Sequence, residues 1–328
     1  MKAMVMAAGL GTRLRPLTYE VPKPMVPVAN RPVIELIMRS LAKQGFNEVV
    51  ANLHWFPETV RDHLGDGSEL GIELTYSFEE HLLGTAGGVR NVRDHFGDEP
   101  FLVMAGDALT DIDLGALLHA HRAHDGLATL AVKRVANTSE FGVVVTDSEG
   151  RVQGFQEKPD PAEALSDLAN CMIYAFDPTV FDHFPDDEVI DFALDVFPAL
   201  LAADVPFHVH ETKAYWNDVG SLPEYLQGNL DAVDGEVDVE IAGEIVSEGD
   251  GATLAPGVEL TGRVLVGAGA EVGERAQIDG PCVIAPGVRV GAGARIKRAV
   301  LLSGAEVPVD GVLANAIVGR RGALADGP

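Results

Sequence analysis

An aliphatic residue recurs at every sixth position through the C-terminal part of the chain, and this period constrains the fold more tightly than any other feature. Leu254, Leu260, Val266, Val272, Ile278, Ile284, Val290, Ile296 and Leu302 hold the register. Four residues after each of the first eight stand Val258, Val264, Ala270, Ala276, Cys282, Val288, Ala294 and Val300, all small or apolar. A chance run of short strands does not keep register over nine rungs. The pattern is that of a hexapeptide coil, in which three hexads form one turn and the aliphatic side chains stack inside. Cys282 is then an interior packing residue, not a nucleophile.

The N-terminus carries a different signal. The apolar run Met1–Ala8 opens into the glycine turn Gly9-Leu-Gly11-Thr12-Arg13-Leu-Arg15, followed by Lys23 between Pro22 and Pro24. Gly9 and Gly11 let backbone N–H groups approach phosphate oxygens, and the Arg13 guanidinium can hold an oxyanion through two parallel hydrogen bonds. The flanking prolines predict an extended backbone that delivers the Lys23 ammonium to a fixed place. A strand that runs into such a turn is a polyphosphate grip. It is not a dinucleotide fingerprint, which would need glycine at Leu14, nor a P-loop, which would need Gly-Lys-Ser/Thr at its end.

Short β-branched runs alternate with amphipathic stretches as far as Val233, predicting an α/β domain with a Rossmann-like, mostly parallel sheet over residues 1–233. Strands are expected at Glu48–Leu53, Ile72–Phe78, Phe101–Ala105, Leu127–Val135 and Leu168–Phe176, and helices at Pro32–Gln44 and at Ile112–His124 capped by Asp111. Residues 234–250, rich in Asp, Glu and Gly, read as a linker, and residues 251–328 as the coil domain. The 328 residues carry a formal net charge of −26, which argues against nucleic acid and anionic membranes as partners and singles out Arg13, Arg15 and Lys23 as a local cationic cluster. No apolar run reaches transmembrane length, no signal peptide precedes the first strand, and Cys171 and Cys282 stand far apart, all consistent with a reducing cytoplasm. His119, His121 and His124 form an HxHxxH in which only His121 and His124 are helix neighbours; a solvated helix face is the expected reading.

The runs GLGTRLRPLT and PKPMVPVANRPVIE resemble the signature of the sugar-1-phosphate nucleotidylyltransferases, and the resemblance extends over essentially the whole chain. It implies transfer of a nucleotidyl group from a nucleoside triphosphate to a hexose-1-phosphate with release of pyrophosphate. It also implies a left-handed coil that mediates contacts in a homo-oligomer. Arg13 would grip the leaving pyrophosphate and Lys23 the α-phosphate, while Arg15 is divided evenly between the surface and the pyrophosphate edge. Asp107 at the end of Phe-Leu-Val-Met-Ala-Gly-Asp and Asp218 in Trp-Asn-Asp-Val-Gly would hold Mg2+, taken alone either could be a turn cap. Lys158 of Glu157-Lys158-Pro159 would bind the sugar phosphate, and Glu157, Asn170 and Gly142 the sugar. Met172 replaces the family's glycine in Asn170-Cys-Met-Ile-Tyr174 and removes a point of close backbone approach. Gly84 and Thr85 in Leu-Gly-Thr-Ala-Gly-Gly, with Ala8, Gly9, Gly11 and Thr12, would line the nucleotide.

The layout most resembles guanylyltransferases, implying GTP and mannose-1-phosphate, with UTP or dTTP and glucose-1-phosphate close behind. Two other classes compete. A hexapeptide-repeat acyltransferase would need a histidine base between coils, and no histidine follows His210. A silent regulatory subunit would not need Arg13, Lys23, Asp107, Lys158 and Asp218 together.

Overall fold

Lys2–Met6 (β1) buries Ala3, Met4 and Val5 completely, as a strand covered on both faces must. In the computed structural model, which describes residues 1–246 and 255–326, β1 pairs in parallel with Glu48–Leu53 (β2) on one side. Glu73–Phe78 (β3) continues beyond β2, and Phe101–Ala105 (β4) flanks β1 on the other side, both in parallel. The chain thus winds outward from β1 to β3 and returns across it to β4. Sheets of this kind bind ligands at such a reversal, beyond the carboxyl ends of the strands, here those of β1 and β4.

The other half of the sheet is mixed. Ala128–Arg134 (β5), Gly142–Thr146 (β6), Val152–Glu157 (β7), Leu168–Phe176 (β8) and His208–Glu211 (β9) complete the nine strands. β8 runs antiparallel to β4, β5 and β6, β7 is antiparallel to β6, and β9 is parallel to β5. Helices form at Val33–Lys43 (α1), Gly84–Asn91 (α2) and Leu114–Arg122 (α3). The cap of α3 is Asp113, which accepts from the Ala116 N–H at 2.8 Å, rather than Asp111, whose Oδ1 accepts from the Tyr215 N–H at 2.8 Å. A cap's side chain reaches an N–H two or three residues further on, and Asp113 satisfies that spacing.

By internal packing the chain divides into two units, Met1–Leu10 with Ile37–Trp216, and Gly11–Leu36 with Asn217–Pro328. The first holds the nine-stranded sheet. In it His121 is buried against β5 instead of facing solvent: its Nδ1 and the Thr129 hydroxyl lie 3.0 Å apart, and its ring meets that of His124 at 5.7 Å. His119 is exposed. Burial pushes the His121 imidazole down from 6.5 to about 4, with the neighbouring His124 adding to it. Between those values the unfolded chain binds a proton that the folded chain refuses. Stability is therefore full above pH 6.5 and falls as pH drops toward 4, by about 3 kcal/mol from this group. Urea unfolding at pH 7.5 and pH 4.5 should show that loss, and a His121→Leu chain should show a shallower one; equal slopes would reject it.

The second unit contains the coil. Its strands form three sheets that the chain visits in rotation, with parallel partners eighteen residues apart at Leu260 and Ile278, Val266 and Ile284, and Val272 and Val290. After Ile296 the spacing drops to seventeen: Ile284 pairs with Leu301, Val290 with Val307 and Ile296 with Leu313. The rung expected at Leu302 is therefore Leu301, and Ala299 stands where Val300 was expected, its carbonyl accepting from the Val283 N–H at 2.9 Å. One corner, Lys297–Ala299, is a residue short. Leu254 and residues 247–250 of the expected linker lie outside the described residues. Cys282 is fully buried among the rungs, which raises its thiol to about 11 and leaves it a packing residue.

Leu222–Asp234 (α4), capped by Ser221 and ended by left-handed Gly235, packs against coil strands Cys282–Ile284 and Val300–Leu301. The same helix holds the N-terminal signature. The Tyr225 hydroxyl donates to the Pro27 carbonyl at 2.7 Å, and buried Asn229 accepts from the Ala29 N–H at 2.9 Å. Arg31 pairs with Glu35 and donates to the Glu240 carbonyl at 2.8 Å, while Arg321 reaches Glu20 at 2.8 Å. The sequence placed Gly11–Leu36 and α4 in a domain ending at Val233; packing groups them with the coil.

Candidate active site

In the first unit the expected nucleotide residues lie past the ends of strands. Met6 leads into Ala7, whose N–H donates to Asn52 Oδ1 at 2.7 Å, and then into buried Ala8 and exposed Gly9. Among the described residues nothing lies within 4 Å of where a Gly9 Cβ would stand. Gly84 has a left-handed φ of 78°, and a Cβ there would collide with the Ile190 carbonyl. That carbonyl accepts from the Ala86 and Gly87 N–H groups at 3.0 and 3.1 Å, so these two N–H groups of α2's first turn are already paired. The Thr85 hydroxyl is also spent, donating to Asp191 at 2.7 Å and accepting from the Phe192 N–H at 3.0 Å. Only the backbone of this turn remains for a ligand. Half-buried Asp107 follows Gly106 at the end of β4; the Gly106 N–H donates to the Met6 carbonyl at 2.9 Å, and a Cβ there would stand 2.8 Å from that oxygen.

The sugar-side residues are gathered on β6, β7 and β8. Gly142 pairs with Glu157, and the site of a Gly142 Cβ is 3.1 Å from Glu157 Oε2. Lys158 takes a left-handed φ of 45°, its N–H donating to the Phe141 carbonyl at 3.1 Å and its ammonium 3.8 Å from Glu157. Asn170 lies on β8, where the preceding residue Ala169 pairs with Val143. Its amide is occupied: Oδ1 accepts from the Met172 N–H at 3.0 Å and Nδ2 donates to the Tyr174 hydroxyl at 2.9 Å. Met172 sits in a bulge with φ 55°, the conformation glycine takes freely, and packs its side chain partly into the core. Trp216, which the sequence did not single out, donates to the Cys171 carbonyl at 3.2 Å and meets Phe141 at 5.2 Å.

The second unit brings Gly11, Arg13, Lys23 and Asp218 together. Gly11 is left-handed (φ 60°), and a Cβ there would stand 2.7 Å from Lys23 Cβ. This glycine therefore makes room for the lysine stem. Lys23 is not extended; it opens a 3-10 turn, Lys23–Met25, closed by the Met25 N–H on the Pro22 carbonyl at 2.8 Å. Pro24 fits the first positions of a helical turn, which is why the extended backbone stops at Pro22. The Lys23 ammonium donates to the Asp218 carbonyl at 3.3 Å, and the exposed Arg13 guanidinium lies 3.8 Å from the Asp218 carboxylate. Thr12 is exposed beside Arg13, and Arg15 instead lies over the Tyr19 ring at 5.2 Å. Asn217, also unremarked in the sequence, pins the Asp218 turn: it accepts from the Val219 N–H at 2.7 Å and donates to the Glu224 carbonyl at 3.1 Å.

The nucleotidyl transferase family model matches residues 2–235, and the GMPPB C-terminal domain model matches residues 260–326. A UTP–glucose-1-phosphate uridylyltransferase of Synechocystis sp. is 35% identical over 320 residues, 92% of this chain and 82% of that protein. A mannose-1-phosphate guanylyltransferase of Mycobacterium tuberculosis is 36% identical over 290 residues, 86% of this chain and 79% of that protein. Among solved structures, HddC from Yersinia pseudotuberculosis has a TM-score of 0.61 at 23% identity over 70% of this chain and 97% of that one, a likeness of fold alone. With the reversal of strand order beside β1 and the glycine turn in place, the match over residues 2–235 makes the chain a member of the nucleotidyl transferase family.

Proposed function

We propose that the protein catalyses transfer of a guanylyl group from GTP to mannose-1-phosphate. It is a sugar-1-phosphate nucleotidylyltransferase: a phosphate oxygen of the sugar-1-phosphate bonds to the α-phosphorus of the triphosphate, the bond from that phosphorus to the bridging oxygen breaks, and pyrophosphate leaves. The observation that carries the chemistry is the pairing of two cations, Arg13 and Lys23, around Asp218 at the glycine turn. Little covalent work falls to a protein in such a transfer, so positioning and neutralisation of charge supply the rate. Lys23 faces the α-phosphate, Arg13 the departing pyrophosphate, and Thr12 and Gly11 the phosphates beside them. Ala8, Gly9, Gly84 and Thr85 present backbone to the nucleoside. Lys158 holds the sugar phosphate, with Glu157, Asn170 and Gly142 on the hexose.

Asp107 and Asp218 would hold Mg2+. Their chemistry fits this ion, which is commonly held by one or two carboxylates together with substrate phosphates. Among the described residues no cluster of three or more His, Cys, Asp or Glu offers a protein cage. The ion would offset phosphate charge when bound. Excess chelator should abolish activity, and Asp218→Asn should raise the magnesium concentration for half-maximal rate by about tenfold. A wild-type metal titration in that variant would remove Asp218 from the site.

Guanylyl and mannosyl specificity is supported by the relatives named mannose-1-phosphate guanylyltransferases, at 36% and 33% identity, and by the GMPPB type of the C-terminal match. The Synechocystis relative at 35% identity favours UTP and glucose-1-phosphate as the second reading. A pyrophosphate-release screen of four NTPs against several hexose-1-phosphates separates them. Highest kcat/KM for GTP with mannose-1-phosphate supports the proposal, and a preference for UTP with glucose-1-phosphate replaces it. We further read the coil as a left-handed β-helix that joins copies of the chain in a cytoplasmic oligomer; the two free, buried cysteines fit a reducing compartment.

A further inference from the structure

The two turns assigned to the nucleotide are joined by one chain of hydrogen bonds that runs through two buried residues. At one end Ala7, just before Ala8 and Gly9, donates its N–H to Asn52 Oδ1 at 2.7 Å. Asn52 Nδ2 donates to Glu79 Oε1 at 2.7 Å. Glu79 Oε2 accepts from the N–H of Leu83, just before Gly84, at 3.1 Å. Both side chains are 3% exposed. Glu79 is anchored at its own backbone as well, its N–H donating to the Leu53 carbonyl at 2.9 Å and its carbonyl 2.8 Å from His54 Nδ1. Gly88 of α2 closes over the pair, because a Cβ there would stand 2.5 Å from Asn52 Nδ2 and 2.6 Å from Glu79 Oε1.

Burying two polar side chains costs desolvation that an apolar pair of similar volume would not incur. What an apolar pair could not supply is a directional link between two backbone N–H groups. Both ends of the chain are donors, so the two side chains between them must present an acceptor to each end and exchange one hydrogen bond in the middle. Amide then carboxyl, as in Asn52 and Glu79, meets that pattern. Carboxyl then amide meets it equally, with the middle bond reversed.

We propose that Asn52 and Glu79 are positioning residues that fix the spacing between the Ala8–Gly9 turn and the Gly84 turn and so set the affinity for the nucleoside triphosphate. This rests on the reading of those turns as walls of the nucleotide site.

The test is steady-state kinetics on the full chain with GTP, UTP and mannose-1-phosphate, alongside thermal melts. Asn52→Asp sets two carboxyls face to face, and Glu79→Gln leaves one end of the chain without its acceptor. Each should raise KM for the nucleoside triphosphate about 10- to 100-fold, with KM for the sugar phosphate little changed. The double variant Asn52→Asp with Glu79→Gln restores the pattern with the middle bond reversed, and should return that KM to within about threefold of wild type. Gly88→Ala leaves every hydrogen-bonding group present but displaces the pair, and should raise the same KM even where the single polar variants fold poorly. Unchanged nucleotide KM in the singles and in Gly88→Ala, with only the melting temperature lowered, overturns the positioning role. A double variant no better than the worse single does so too. A rise confined to the sugar-phosphate KM identifies the assignment of the two turns to the nucleotide as the part that failed.

Discussion

Lys23→Ala should lower turnover at saturating substrates by about 10²- to 10³-fold, the range for loss of one preorganised donor from a developing charge. The ammonium is held by the Asp218 carbonyl at 3.3 Å, and its stem lies in the space that Gly11 leaves by having no Cβ. It is therefore placed before substrate arrives, and electrostatic stabilisation gains from charges that need no reorganisation at the moment of reaction. The loss should appear in kcat more than in either KM, because a charge that spreads only in the transition state is poorly felt in the ground state. Pyrophosphate release under saturating conditions measures it, with a thermal melt to show the fold intact. Turnover within a few-fold of wild type would remove Lys23 from the chemistry.

Truncation after Val233 should cost about 100-fold or more in activity, beyond any effect on assembly. The cut removes coil strands Cys282–Ile284 and Val300–Leu301, which cover α4, and each large apolar side chain bared costs roughly 1.5–3 kcal/mol. α4 in turn holds the hairpin formed by Pro27–Val28 and Arg31–Pro32, through Tyr225 on Pro27 and Asn229 on Ala29. The Arg31 bond to Glu240 and the Arg321 pair with Glu20 disappear with the cut, the latter an exposed pair that contributes little. Loss of order in the helix and hairpin then reaches the phosphate turn even though every catalytic residue remains in the chain. Activity and thermal midpoint equal to those of the full chain would sink this expectation, and sedimentation of both chains tests assembly separately.

Much of the architecture could be read from patterns of apolar residues. Glu48–Leu53, Phe101–Ala105 and Leu168–Phe176 form strands with the expected bounds because each is a near-continuous buried run. The coil was legible for the same reason, but its shortened corner was not. Val300, Leu301 and Leu302 are all aliphatic, so the sequence is satisfied by either register and only strand pairing decides between them. Polar residues misled where burial decides their role. His121 belongs to a helix face that looks hydrophilic, yet it packs on Thr129. Glu79-Glu80-His81 is a run of polar residues, and nothing in composition reveals that Glu79 turns inward to Asn52. Local geometry was the other blind spot: Pro24 permitted a helical turn at Lys23 as readily as an extended one, and Met172 occupies a left-handed bulge that its side chain does not advertise.

The grouping of Gly11–Leu36 with Asn217–Pro328 bears on how such proteins can be recombined. A chimera made by joining two relatives at a single crossover near Val233 would pair one parent's phosphate turn and supporting helix with the other parent's coil. Contacts such as Arg31 to Glu240 and Glu20 to Arg321 would then join residues of different ancestry. The exchangeable piece is discontinuous, an N-terminal segment that travels with a distant C-terminal one. Libraries built with paired crossovers, flanking Gly11–Leu36 and again at Asn217, should yield active hybrids more often than libraries cut once at the apparent linker.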